Sequence, residues 1–129
     1  MSKDEHIPFQ HEPEEKNHVA LSVFFNIVSA WNVTRKEQII LLGLCSDSIF
    51  YDLKAGNVDN LSEDTLNRIS YIIRIYKILG ILFSVREQAD AWPRKPNDNF
   101  NNESALKYML KGEVTHLSDI CSYLNSQLS

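Results

Sequence analysis

The residues of this chain best suited to chemistry are its histidines, its cysteines and its adjacent carboxylates, and their spacing does not assemble them into a site. His6, His11, His18 and His116 are dispersed, three of them in or beside the first sixteen residues. His116 and Cys121 stand at i and i+5, a spacing that faces poorly on a helix and makes a weak pair of metal ligands. Cys45 and Cys121 form no C-x-x-C motif and carry no local signature of a nucleophile, so they read as small core thiols of a reducing compartment. No glycine-rich phosphate loop exists; the four glycines fall where helices should stop. Glu14/Glu15 belong to a solvated acidic stretch, and Glu63/Asp64 sit where a helix should begin. The pattern predicts a binding protein with no cofactor, no metal and no enzymatic activity.

The elements that would position a binding surface are helical. At 129 residues the chain has the length of one domain, or of one domain with a small appended unit. Its net charge of −4 argues against strong nonspecific binding to nucleic acid, which depends on many Lys and Arg contacts to phosphates. Residues 1–16 are polar and acidic and lack the apolar core of a secretory signal, so the expected location is the cytoplasm and the expected state a loosely docked arm. Ile7 and Phe9 could anchor that arm to a partner or to a second copy.

The longest organised stretch is Leu61–Phe83. Ser62 is placed to cap it, Glu63 and Asp64 suit the positive end of its dipole, and from Ile69 it is apolar on almost every face. One series holds Ile69, Ile73, Tyr76 and Phe83; another holds Ile72, Ile75, Leu79 and Leu82. The uncharged run after Lys77 is too short to cross a membrane, so the stretch is expected to be the central helix of a soluble all-α bundle.

Around it the sequence predicts six further helices. Asn17 could cap one over His18–Trp31, with Val19, Val23, Ile27 and Ala30 on its main apolar face, widened by Leu21, Phe24, Phe25, Val28 and Trp31. Thr34 and Glu37 form a capping box for a helix that Gly43 ends, with Ile39, Ile40 and Leu42 facing inward. Ser46 caps the next, which Gly56 ends. Helix, short turn with glycine, helix is the layout of a helix-turn-helix. In that reading Asp47, Ser48, Tyr51, Asp52 and Lys54 face outward, and Arg35, Lys36, Ser46, Ser48, Tyr51 and Lys54 are the candidate DNA contacts. Ser84 could cap a short helix ended by Pro93. A loop rich in proline and asparagine then leads to a helix over 103–111, for which Asn101 or Asn102 is the expected cap, and to a last helix over Thr115–Leu128.

The C-terminal stretch resembles the toxin-binding domain of the Xre/MbcA/ParS antitoxins, through Trp92, Pro96-Asn97, Phe100, Ser104-Ala105-Leu106, Met109, Gly112 and Tyr123-Leu124. The upstream part is similar to the helix-turn-helix region of the same family, through Trp31, Leu41-Leu42-Gly43, Tyr51, Leu61, Arg68-Ile69-Ser70, Ile75-Tyr76, Leu79 and Phe83. The resemblance spans about residues 20–128. The run Asn101-Asn102-Glu103 stands where the family often has a glycine, and Ala105 where proline is common. Beyond the acidic arm over 1–16, the resemblance implies two parts: a helix-turn-helix and dimerisation region over 17–83, and a toxin-binding unit over 84–129. It also implies a function, that of the antitoxin of a type II toxin–antitoxin pair. Such a protein forms a homodimer, blocks the active-site mouth of a cognate toxin, commonly an NAD-consuming RES-domain enzyme, and can repress its own operon on operator DNA. Carried over by position, the toxin contacts are Trp92, Asn97, Phe100, Ser104, Leu106, Met109, Gly112, Leu124 and Leu128. Two other readings are a stand-alone helix-turn-helix regulator and an oligomeric adaptor using a Phe24/Phe25/Trp31 surface.

Overall fold

The computed structural model describes the backbone of residues 3–59 and 61–128, and side chains from residue 15 onward. The fold is all-α: α1 (Lys3–Ala30), α2 (Arg35–Leu42), α3 (Asp47–Lys54), α4 (Glu63–Leu82), α5 (Arg86–Ala91), α6 (Ala105–Met109) and α7 (Val114–Gln127). Between α5 and α6 lie two 3-10 turns, Trp92–Arg94 and Asp98–Phe100, and a two-residue antiparallel ladder of β1 (Pro96–Asn97) with β2 (Glu103–Ser104).

Local signals start and stop the middle helices as expected. The Thr34 hydroxyl accepts from the Glu37 N–H while the Glu37 carboxylate accepts from the Thr34 N–H, a complete capping box. Gly43 closes α2 in the left-handed conformation (φ 70°). Ser46 and Ser62 cap α3 and α4, accepting from Ile49 N–H and Thr65 N–H.

The ends of the chain differ from expectation. Helix α1 does not start at an Asn17 cap but runs from Lys3. Glu14, Glu15 and Lys16 are good helix formers, and nothing between Pro13 and Trp31 breaks the helix. The proposed anchors Ile7 and Phe9 lie outside the described side chains, as do His6 and His11. Ser84 makes no cap either; α5 begins after Val85 with no side-chain bond.

Helix α4 is the pillar, packing against α7, α1, α5 and α2. Its buried stripe is Thr65, Arg68, Ile69, Ile72, Ile75, Ile78 and Leu79. Ile73, Tyr76 and Leu82 are only half-buried and Ile81 is 70% exposed, so the helix is not enclosed on every side. Against it α1 buries Leu21, Phe24, Ile27, Val28 and Trp31, whereas Val19 and Ala30 are exposed. The inward face is therefore the one through Leu21 and not the one through Val19. Phe24 and Trp31 are fully buried, which leaves no Phe24/Trp31 surface for an adaptor. In α2 the inward pair is Leu41 and Leu42, with Ile40 turned out.

Two arginines bind the helix ends together. Arg94 Nε donates to Trp31 O at 2.7 Å, its Nη2 donates to Asn32 O, and the same nitrogen lies 3.5 Å from Glu37 Oε1. It thus satisfies carbonyls at the C-terminus of α1 that no helical N–H can reach. Arg68, only 9% exposed, donates to Gly112 O in the α6–α7 link and lies 3.4 Å from Ile40 O in α2, which also accepts from the Gly43 N–H.

Candidate partner-binding surface

The C-terminal unit carries a set of aromatic rings that pack against the core and stay partly accessible. Trp92 stacks on Tyr123 (centroids 6.4 Å apart, planes at 14°) and meets Phe100 edge-on at 6.5 Å. Phe100 in turn contacts Tyr123 at 5.2 Å and Tyr108 at 5.8 Å, and Tyr108 meets His116 edge-on. All five side chains are half-buried, so each keeps an accessible portion while its neighbours hold it in place.

The hairpin between α5 and α6 positions this cluster. Asn97 Oδ1 accepts from Asn99 N–H and from Asn99 Nδ2, and Nδ2 also reaches the Tyr123 hydroxyl at 2.9 Å. Asn101 and Asn102 both take left-handed backbone (φ 57° and 66°), which asparagine tolerates better than most residues. They turn the chain so that Glu103–Ser104 pairs with Pro96–Asn97. Neither caps α6. The cap is Ser104, whose Oγ accepts from Lys107 N–H at 3.1 Å, because pairing in β2 holds Ser104 extended, as a cap residue must be. On the far side Tyr108 OH donates to Asp119 at 2.5 Å, joining α6 to α7. That bond, with some help from burial, holds the Tyr108 hydroxyl above its ordinary pKa. Asp119 therefore keeps its donor throughout the neutral range.

The nine residues carried over for toxin contact divide into three groups. Trp92, Phe100 and Asn97 lie in or beneath the aromatic surface, and Leu128 is 42% exposed at the end of the described chain. Leu106, Met109 and Leu124 are buried in the core, at 2% exposure or less, and can shape the unit but not touch a partner across an unaltered surface. Ser104 and Gly112 are structural. The first caps α6, and the second takes φ 102° and offers its carbonyl to Arg68. Tyr108 and Asn99 belong to the surface but lack a cap, a periodicity or a motif that would single them out in the sequence.

Arg35, Lys36, Ser48, Tyr51 and Lys54 are exposed along α2 and α3. Arg35 Nη1 donates to the Tyr51 hydroxyl at 2.6 Å, and Lys54 Nζ sits 4.3 Å from the Phe25 ring centroid. The exposed Asp47 lies among these cations and Asp52 is half-buried beside them. Ser46 is committed to its cap.

The remaining chemistry-bearing groups are accounted for locally. His116 Nδ1 accepts from Glu113 N–H at the start of α7. Cys121 is buried, which raises its thiol pKa and keeps it protonated, whereas Cys45 is exposed and not the core residue expected. Among the described residues no group of three His, Cys, Asp or Glu side chains could hold a metal ion. No described helix is long and apolar enough to cross a membrane.

The fold and this surface together define a small helical protein with a helix-turn-helix segment, α2–α3, and a half-buried aromatic cluster in its C-terminal unit. A protein of Sinorhizobium fredii (strain NBRC 101917 / NGR234), uncharacterized protein y4oB, is 41% identical over 107 residues, which cover 83% of this chain and 82% of the relative. The chain belongs to the family of that protein. No family model matches the chain, and no solved structure matches it.

Proposed function

We propose that the chain is the antitoxin of a toxin–antitoxin pair, and that it inhibits by covering the active-site mouth of a partner enzyme with its C-terminal aromatic surface. The observation that carries this reading is the Trp92–Phe100–Tyr123–Tyr108 cluster, half-exposed yet held by a hairpin and two helices. Rigid aromatics with one free face are what binding hot spots are made of, since they bury much area at little entropic cost. The resemblance of the same segment to the antitoxin family points to an NAD-consuming toxin of the RES type, acting in the cytoplasm. Co-expression with the product of the neighbouring reading frame tests it. Growth and cellular NAD are expected to be restored and the two chains to co-purify; a neighbour that stays toxic and elutes alone would remove the proposal.

A second reading, repression of transcription through α2 and α3, is favoured by the five exposed polar and cationic residues on that hairpin. It predicts operator affinity that falls steeply with salt and collapses when Arg35, Lys36 and Lys54 are all replaced by alanine. Operator binding that survives the triple substitution would count against it.

A further inference from the structure

The two phenol hydroxyls of the aromatic surface are bonded in opposite senses. Asn97 Oδ1 accepts from the Asn99 N–H, which fixes that atom as the oxygen of its amide. The amide of Asn99 approaches the same oxygen at 2.9 Å, and two oxygens would repel there, so Asn99 turns its NH2 group inward. One hydrogen of that group goes to Asn97 and the other to the Tyr123 hydroxyl, also at 2.9 Å. Tyr123 therefore accepts, and its own proton meets no acceptor among the described residues. Tyr108 is the reverse case. A carboxylate can only accept, so the Tyr108 proton is spent on Asp119.

A cation without an anion stands at the same surface. Lys111 is exposed, and its Nζ lies 4.9 Å from the centroid of the Tyr108 ring, whose face attracts it. It pairs with no carboxylate among the described residues, Asp119 included. Phe100 lies between Tyr123 and Tyr108, in contact with both rings. The rings thus carry two outward donors, a phenol proton at Tyr123 and an ammonium at Lys111. Donors set among aromatic rings lose water when a partner covers them, and charged acceptors compensate that loss best.

We propose that this surface selects an acidic patch on its protein partner, one carboxylate accepting from the Tyr123 hydroxyl and another held by Lys111. Asn99 is a positioning residue: it touches no partner group in this role, but the sense of its bond leaves the Tyr123 proton free. The inference rests on the reading of the C-terminal surface as the partner's docking face and adds the chemistry that the partner must present.

Titration calorimetry of the full chain with the purified product of the neighbouring reading frame tests this. Tyr123→Phe keeps the ring and its stack on Trp92, and is expected to weaken the complex by about tenfold or more, as loss of a bond to a charged acceptor does. Lys111→Met should weaken it too and make the remaining affinity less sensitive to salt. Tyr108→Phe removes a proton already spent and should change affinity by less than about threefold. Asn99→Asp reverses the network, since a carboxylate there draws the Tyr123 proton inward, so it should weaken the complex with Tyr123 still present. Adding Tyr123→Phe to Asn99→Asp should then cost less than about threefold more, a non-additivity that simple loss of structure would not produce. A folded Tyr123→Phe or Lys111→Met variant that binds as tightly as the wild type would overturn the inference and leave the docking face standing. A wild type that forms no complex would overturn both.

Discussion

Ile72→Asp is expected to abolish the cooperative unfolding transition, whereas Ile73→Asp, one residue further along the same helix, is expected to leave it in place. Ile72 is fully buried in α4, the helix against which α1, α2, α5 and α7 all pack. A carboxylate there has no charged or hydrogen-bonding partner in the surrounding isoleucines and leucines, and protonating it still strands a polar group and leaves a gap. The expected cost exceeds about 4 kcal/mol, against a total stability of about 5–15 kcal/mol for domains of this kind. Ile73 is only half-buried, in a surface depression beside Val19 and Lys77, so its replacement should cost about 1–2 kcal/mol and leave the melt cooperative. Thermal melts followed by circular dichroism read the difference. An Ile72→Asp protein with a wild-type melt would show α4 not to be the pillar described.

The second large effect is expected at Arg68. Its Nε donates to Asp64 Oδ2 at 2.9 Å, and its Nη1 donates to Gly112 O at 2.9 Å and lies 3.4 Å from Ile40 O. One side chain therefore joins the end of α2, the start of α4 and the link between α6 and α7. Gly43 makes room for it. A Cβ at that position would stand 2.5 Å from Arg68 Nε, on top of the strain of φ +70°. Arg68→Ala leaves the Gly112 carbonyl without its donor, breaks the pair with Asp64 and leaves Ile40 O with the Gly43 N–H alone, at an expected cost of about 3 kcal/mol. For a domain of this size that is a fall in Tm of about 10 °C. Lysine should not rescue it, because a single ammonium cannot reach in the directions the planar guanidinium does. An Arg68→Ala variant within about 1 kcal/mol of wild type would show the bonds to be incidental.

The caps Thr34–Glu37, Ser46 and Ser62 and the stop at Gly43 were legible because each is made by residues within three or four positions of one another. The inward face of α1 was not. Apolar residues occupy most positions from Val19 to Trp31, and only packing on α4 selects the arc through Leu21, Phe24 and Val28. Ser104 is not legible as a cap, because what holds it extended is pairing with Pro96, eight residues away. Asn101 and Asn102 looked like caps, yet they use the other conformational habit of asparagine, the left-handed turn. Arg68 is visible in the sequence only as part of the Arg68-Ile69-Ser70 run, since its carbonyl partners lie 28 and 44 residues distant. Of the carried-over contacts, Leu106, Met109 and Leu124 were sound as apolar residues of the unit, but hydrophobicity alone does not tell a core position from a docking one. Tyr108 and Tyr123 complete the aromatic surface through contacts that only the fold creates.

The central claim is that the aromatic face of the C-terminal unit binds a toxin, and titration calorimetry with the purified product of the neighbouring reading frame tests it most directly. The wild type should form a tight complex, and a folded Trp92→Ala/Phe100→Ala variant should lose at least about a hundredfold in affinity, as paired aromatic hot spots do. The Arg35/Lys36/Lys54 triple alanine variant should bind as the wild type does. Equal affinity for the aromatic variant, or no complex at all, would contradict the account.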